Sequence, residues 1–203
     1  IDILEEEATK DIYALGGVQS GGDDYFQTNL LTVARKRVVW LSVLLITNTV
    51  TAAVIDAQKD LIQQVAVLAS FIPLLIGTGG NVGAQSSTVI IRGLNTDELR
   101  IREAFQVIRR EAIAGAFLGL MLGIVVTGWA YVLLQGNLAV AIIVGVSLLA
   151  ISVLASIAGA ALPFLFQRLG FDPALMSAPF ITTVVDVFGV LIYLNLARKV
   201  LQL

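Results

Sequence analysis

The sequence predicts an all-α integral membrane protein with five transmembrane helices per protomer, and three observations predict it. Hydrophobic residues make up 57% of the chain and mean hydropathy is +0.89, far above a soluble globular profile. Charge-free runs cover residues 38–55, 61–91 and 112–166, and residues 173–197 carry one charge, Asp186. Each run reaches the roughly 17–25 residues that a membrane-crossing helix needs. The 13 basic residues are also unevenly placed around these runs.

Residues 1–34 are polar and predict a cytosolic linker followed by an interfacial helix, with residues 35–203 as the membrane domain. Residues 1–15 read as a short acidic helix with Glu5, Glu6, Glu7 and Asp11 close together, and the glycines of 16–22 break it. Residues 23–34 form the interfacial helix, with Tyr25, Phe26, Leu30 and Leu31 apolar. The abrupt start on acidic residues predicts a larger cytosolic part upstream.

The first span is expected at about 36–56; it begins too far along the chain and lacks the small-residue cleavage pattern of a signal peptide. The second occupies 61–91, and its 31 residues would be about 46 Å long as a straight helix, so it must tilt, break or project. Residues 95–111 form an amphipathic connector with Asn95 or Thr96 as N-cap, Asp97 and Glu98 in the first turn, and basic residues from Arg92 to Arg110 between apolar ones. The 55 residues of 112–166 hold two spans, about 110–134 and 138–166, joined by Gln135-Gly136-Asn137. Gly115, Gly119 and Gly123, and then Ser152, Ser156 and Ala160, repeat every four residues. Small residues at that spacing let helices pack closely. The last span covers about 174–198, with Asp172 as N-cap and Pro173 at the first helical position.

This layout puts ten basic residues on one side and Lys59, Arg198 and Lys199 on the other. The N-terminus is therefore expected in the cytoplasm, in the cell's inner (plasma) membrane. The chain has no cysteine and no histidine. That excludes disulfides, thiol chemistry, Cys/His metal ligation and Ser-His triads, and no nucleophile–base pair points to an enzyme. The basic residues lie where topology needs them, so no nucleic-acid partner is expected; membrane lipid is.

Asp186 is the residue the composition does not absorb. A carboxylate in a membrane span costs roughly 2.5–3.5 kcal/mol on insertion scales and normally faces water or a partner. Pro179 lies two turns earlier and cannot donate to the carbonyl of Leu175, so the helix is expected to kink and free carbonyl oxygens there. Ala178, Thr182, Asp186 and Gly189 then form one small and polar stripe. In the second span, Gly77, Gly79, Gly80 and Gly83 with Asn81 and Gln85 suit close backbone approach or a broken helix lining a cavity. Asn81, Gln85, Ser86 and Thr88 are also the candidates for a purely structural bond to Asp186, and a proton relay is a third reading. Ion coordination accounts best for the set. An oxygen-only site suits Mg²⁺, Ca²⁺ or Mn²⁺. One aspartate per chain is too little for a divalent ion in a membrane, whereas two chains about a two-fold axis would supply two carboxylates. These residues point to a dimeric divalent-cation pathway.

The chain resembles the MgtE family of magnesium channels and transporters. The resemblance rests on Pro73-Leu-Leu-Ile-Gly-Thr-Gly-Gly-Asn-Val-Gly-Ala-Gln-Ser-Ser, on Leu169-Gly-Phe-Asp-Pro-Ala-Leu-Met-Ser-Ala-Pro-Phe-Ile-Thr-Thr-Val-Val-Asp186, and on Glu5-Glu-Glu-Ala-Thr-Lys-Asp-Ile-Tyr. It implies a homodimer whose second and fifth helices line a central pore. Asp186 and its dimer mate would bind hydrated Mg²⁺, with backbone oxygens contributed at Ala178 and Thr182. Gly77, Gly80, Asn81, Gln85 and Gly189 would shape the wall. It also implies a plug helix at residues 23–34, and cytosolic N-terminal and CBS domains that sense Mg²⁺ and are absent from this chain. Glu7 and Asp11 would be what remains of a regulatory metal site that Lys10 interrupts, and Ala178 stands where some relatives carry an amide. Without the sensing domains, millimolar internal Mg²⁺ is expected to close this chain poorly. The alternative function is a proton-coupled divalent-cation transporter in which Asp186 cycles its proton.

Overall fold

The structure, a computed structural model, describes residues 29–171 and 178–203. Expectations for residues 1–28, including the acidic helix with Glu7 and Asp11, and for Asp172 and Pro173, lie outside the described residues. The fold is all-α, and five of its helices are long and apolar enough to cross a membrane.

Helix α1 spans Leu30–Asp56. Asn29 caps it, its side chain accepting the Leu31 N–H at 3.0 Å. Residues 30–34 are therefore continuous with the first span and not part of a separate interfacial helix. A short helix, α2, spans Lys59–Gln64. The chain then leaves helical geometry at Val65 (φ −131°, ψ 71°) before α3, Val67–Asn95. The overlong second run is thus divided at Val65. The glycine-rich segment is continuous helix, and Pro73 sits within it.

α3 also runs to Asn95, where the amphipathic connector was expected to begin. Thr96 closes it by donating its hydroxyl to the Arg92 carbonyl at 3.0 Å. The turn that follows is tight. Asp97 adopts φ 57°, the Leu99 N–H donates to the Gly93 carbonyl at 2.8 Å, and a Cβ on Gly93 would lie 2.6 Å from Leu99 Cδ1. The true cap of the next segment is Arg100, whose N–H donates to Glu103 Oε2 at 3.0 Å. A 3₁₀ turn over Ile101–Glu103 leads into α4, Ala104–Leu133.

The expected turn between the third and fourth spans is present: Gln135 and Gly136 take positive φ (51° and 96°), and the Asn137 side chain accepts the Val140 N–H at 3.2 Å. α5 spans Leu138–Arg168 and α6 spans Ala178–Leu201.

α5 lies at the centre, packed on α3, α4 and α6, while α1 packs mainly on α6, with Trp40 stacked 6.3 Å from Phe180. Small residues set the closest approach, as their spacing predicts. A Cβ on Gly119 would lie 2.8 Å from Leu149 Cα, one on Gly123 2.8 Å from the Gly145 carbonyl oxygen, and one on Gly115 2.5 Å from Ser156 Oγ. Ser152 belongs to the same seam, whereas Ala160 packs with Ile90, Leu94 and Phe164.

Gly119→Ala should lower the thermal melting point in detergent, because its methyl meets backbone, and overpacking of this kind costs roughly 1–3 kcal/mol. Gly128 is exposed and has nothing within 4 Å of a built Cβ, so Gly128→Ala should leave the melting point unchanged or raise it. Equal effects at the two positions would contradict the close-packed seam.

Candidate functional site

α3 has two unlike faces. One is buried and carries Phe71, Leu75, Gly79, Val82, Ser86 and Ile90. The other is exposed in the single protomer and runs through Pro73, Gly77, Asn81, Gln85, Thr88 and Arg92. These positions recur every three or four residues, so they form one stripe down the helix. The Thr88 hydroxyl donates back to the Ala84 carbonyl at 2.9 Å. Asn81 and Gln85 make no side-chain hydrogen bond with any described residue.

The glycines on the buried side bring α6 against α3. A Cβ on Gly80 would lie 2.9 Å from Thr182 Cγ2, one on Gly83 3.0 Å from Ile181 Cγ2, and one on Gly79 3.0 Å from Val185 Cγ1. These pairings run antiparallel, and their register places Asp186 level with Gly77. At the far end the Tyr193 hydroxyl donates to the Leu68 carbonyl at 3.0 Å, which fixes the same register.

Asp186 is half-buried, and no described residue donates a hydrogen bond to it. The structural partners considered for it go elsewhere or stay apart. Ser86 bonds to Glu111, Thr88 bonds back to its own helix, and Asn81 and Gln85 reach no described side chain. Thr182 and Thr183 both donate their hydroxyls to the Pro179 carbonyl, at 2.8 and 2.9 Å. Thr182 therefore presents no free hydroxyl proton to the stripe. Its carbonyl, like that of Ala178, lies in continuous helix and keeps one lone pair for a further donor such as water.

The kink expected at Pro179 turns on Leu175, which lies outside the described residues. Two expectations change. Gly80 is buried against Thr182, so it packs helices and does not line a wall. Gly189 is likewise buried, 3.6 Å from Ile151 Cδ1 of α5 by its built Cβ. Of the expected wall residues, Gly77, Asn81 and Gln85 are exposed on the stripe. Among the described residues no group of three or more acidic side chains is placed to hold a metal ion.

Glu111 was not among the expected site residues. It lies on α4, half-buried, and its Oε2 accepts the Ser86 hydroxyl of α3 at 2.8 Å. Its neighbours Arg109 and Arg110 make it look like part of a solvated connector. The spacing tells otherwise, because Glu111, Gly115, Gly119 and Gly123 are four apart and share the face that packs inward.

Residues 72–196 match the profile of the MgtE family, described as divalent cation transporters. The chain is 42% identical over 202 residues to the magnesium transporter MgtE of Thermus thermophilus, covering 100% of this chain and 44% of that protein. It is 37% identical over 206 residues to the magnesium transporter MgtE of Enterococcus faecalis and 33% identical over 201 residues to that of Bacillus subtilis. The chain spans less than half the length of these relatives.

Removing either partner of the Ser86–Glu111 bond should destabilise the protein by roughly 1.5–3 kcal/mol, the range for hydrogen bonds to charged groups. Ser86→Ala, Glu111→Ala and the double variant should melt at similarly reduced temperatures in detergent. Additive losses in the double variant would mean that the two side chains act independently.

Proposed function

The chain belongs to the MgtE family of divalent cation transporters and is a multi-pass membrane protein, and from that premise we propose that it forms a pathway for Mg²⁺ between two copies of itself. α3 and α6 line the pathway and the two copies of Asp186 ring it. One observation carries this reading: two exposed amides on α3 and a half-buried carboxylate on α6 have no partner among the described residues of these membrane-length helices. In hydrocarbon such groups are costly and are tolerated where they face water or protein. A second copy of the chain across this face, with water between, supplies both.

The chemistry follows from the donors. Mg²⁺ gives up its water reluctantly and takes oxygen ligands. Two aspartates match its charge while the waters stay on, and those waters donate to the carboxylates, to the Asn81 and Gln85 amide oxygens, and to the second lone pairs of the Ala178 and Thr182 carbonyls. Gly77, with no side chain beside Asp186, leaves room for the hydration shell. Outer-sphere contact of this kind recruits the ion without trapping it, which conduction requires. In this reading the basic ends of the helices face the cytoplasm, and Mg²⁺ is cargo; no chemical step is catalysed.

A second reading is favoured by one observation. Glu111 is a second carboxylate inside a helix of spanning length, so a proton-coupled carrier using Asp186 and Glu111 has the two acids it needs.

Mg²⁺ uptake into liposomes separates the two. Asp186→Asn should lower flux by an order of magnitude or more, since a unit charge about 5 Å from a divalent ion is worth several kcal/mol even at an effective permittivity near 20. Wild-type flux should be indifferent to an imposed pH gradient. Flux that survives Asp186→Asn removes the carboxylate ring, and flux that requires the gradient favours the carrier.

A further inference from the structure

α4 carries a second feature, on the opposite side of the bundle from its seam with α5. Phe105, Gln106, Arg109, Arg110 and Ile113 line a recess of about 450 Å³, and all five are exposed. The residues recur at helical spacing along one outward face. The recess sits where the charged start of α4 meets its apolar body. Directly beyond it, at the same spacing, Phe117, Met121 and Ile124 are each 66% exposed and face what would be acyl chains.

Two guanidinium groups and a side-chain amide thus converge over the end of an apolar track. Among the described residues no carboxylate pairs with Arg109 or Arg110. The neighbouring acid, Glu111, has turned inward to Ser86. Arginine presents a planar fork of donors that matches a phosphate oxygen pair. Basic recesses at this depth on membrane proteins suit anionic headgroups. Arg100 and Arg102 are equally exposed and do not line the recess, so the convergence is local and not a property of the basic end as a whole.

We propose that this recess binds one anionic phospholipid. Arg109, Arg110 and Gln106 hold the phosphate, Phe105 closes the headgroup side, and the acyl chains lie along Ile113, Phe117 and Met121. The chemistry shared with free phosphate is the anion itself; the apolar track is what commits the site to a lipid.

The test uses the intact protein in membranes of equal parts phosphatidylglycerol and phosphatidylcholine, with retained lipid counted by native mass spectrometry after gentle delipidation. One phosphatidylglycerol per protomer should persist in preference to phosphatidylcholine. Arg109→Gln with Arg110→Gln should reduce its retention about tenfold or more, whereas Arg100→Gln with Arg102→Gln should not. Ile113→Asn should weaken retention while both arginines remain. Equal loss in the two double variants would reduce the effect to diffuse charge. Displacement by millimolar inorganic phosphate would make this an anion site without a lipid. Unchanged retention in Arg109→Gln with Arg110→Gln would mean that something else fills the recess, such as acidic residues of this chain or a second copy. Each of these three results overturns the proposal. The wild-type preference for phosphatidylglycerol needs no variant, so the proposal stays testable even if a variant folds poorly.

Discussion

Hydrocarbon offers no hydrogen bonds, and that constraint organises this molecule. Several polar side chains inside the long helices answer it locally. Thr47, Thr88, Thr127 and Asn195 donate to carbonyls one turn back, at 2.7–2.9 Å. Ser86 answers it across helices through Glu111. Among the described residues the buried hydroxyls of Thr51, Ser87, Ser147, Ser152 and Ser156 have no partner, and neither do the larger polar groups of Asn81, Gln85 and Asp186. The glycines matter because they deliver this arrangement. By letting α6 lie against α3 at Gly79, Gly80 and Gly83, they set the aspartate at the level of Gly77.

Much of the fold was legible because membrane helices leave simple marks. Charge-free runs locate all five long helices, Gln135-Gly136-Asn137 marks the sharp turn, and the four-residue repeat of glycines marks the α4–α5 seam. The misses have physical causes. The break at Val65 carries no glycine or proline, so nothing local announces it. Pro73 lies exposed within α3, where only one carbonyl, that of Ala69, loses its helical donor, so the helix runs through. Residues 30–34 join α1 because Asn29 caps it there, although their sequence reads equally well as interfacial.

The site was legible in type and less so in direction. Asp186 stood out because a lone carboxylate in a span needs a reason. Asn81 and Gln85 were read as lining a wall, and in the single protomer both are exposed on α3. Gly80 and Gly189 were read beside them, whereas both are buried between helices, three residues from Gly77 and Asp186 respectively. Three residues fall about 60° short of a full turn, enough to rotate a small residue into the contact with the neighbouring helix. Glu111 was missed because two adjacent arginines dominated its surroundings. Its register with the glycine repeat was the better guide. The result is a bundle with a division of labour, in which α3 and α6 present polar groups on one side while α4 offers an apolar track with a basic head on the other.

The central claim is that the α3 stripe and Asp186 face water inside the membrane. The chain has no cysteine, so single cysteines introduced along α3 and α4 can be read without background. A small charged thiosulfonate reagent should modify Asn81→Cys, Gln85→Cys and Thr88→Cys in membranes. Mg²⁺ should slow the reaction at Asn81→Cys, and Phe117→Cys and Met121→Cys on the lipid-facing side of α4 should stay unreactive. A stripe as inert as the α4 positions would contradict the account, because those amides would then lie against lipid or dry protein and no aqueous path would run beside Asp186.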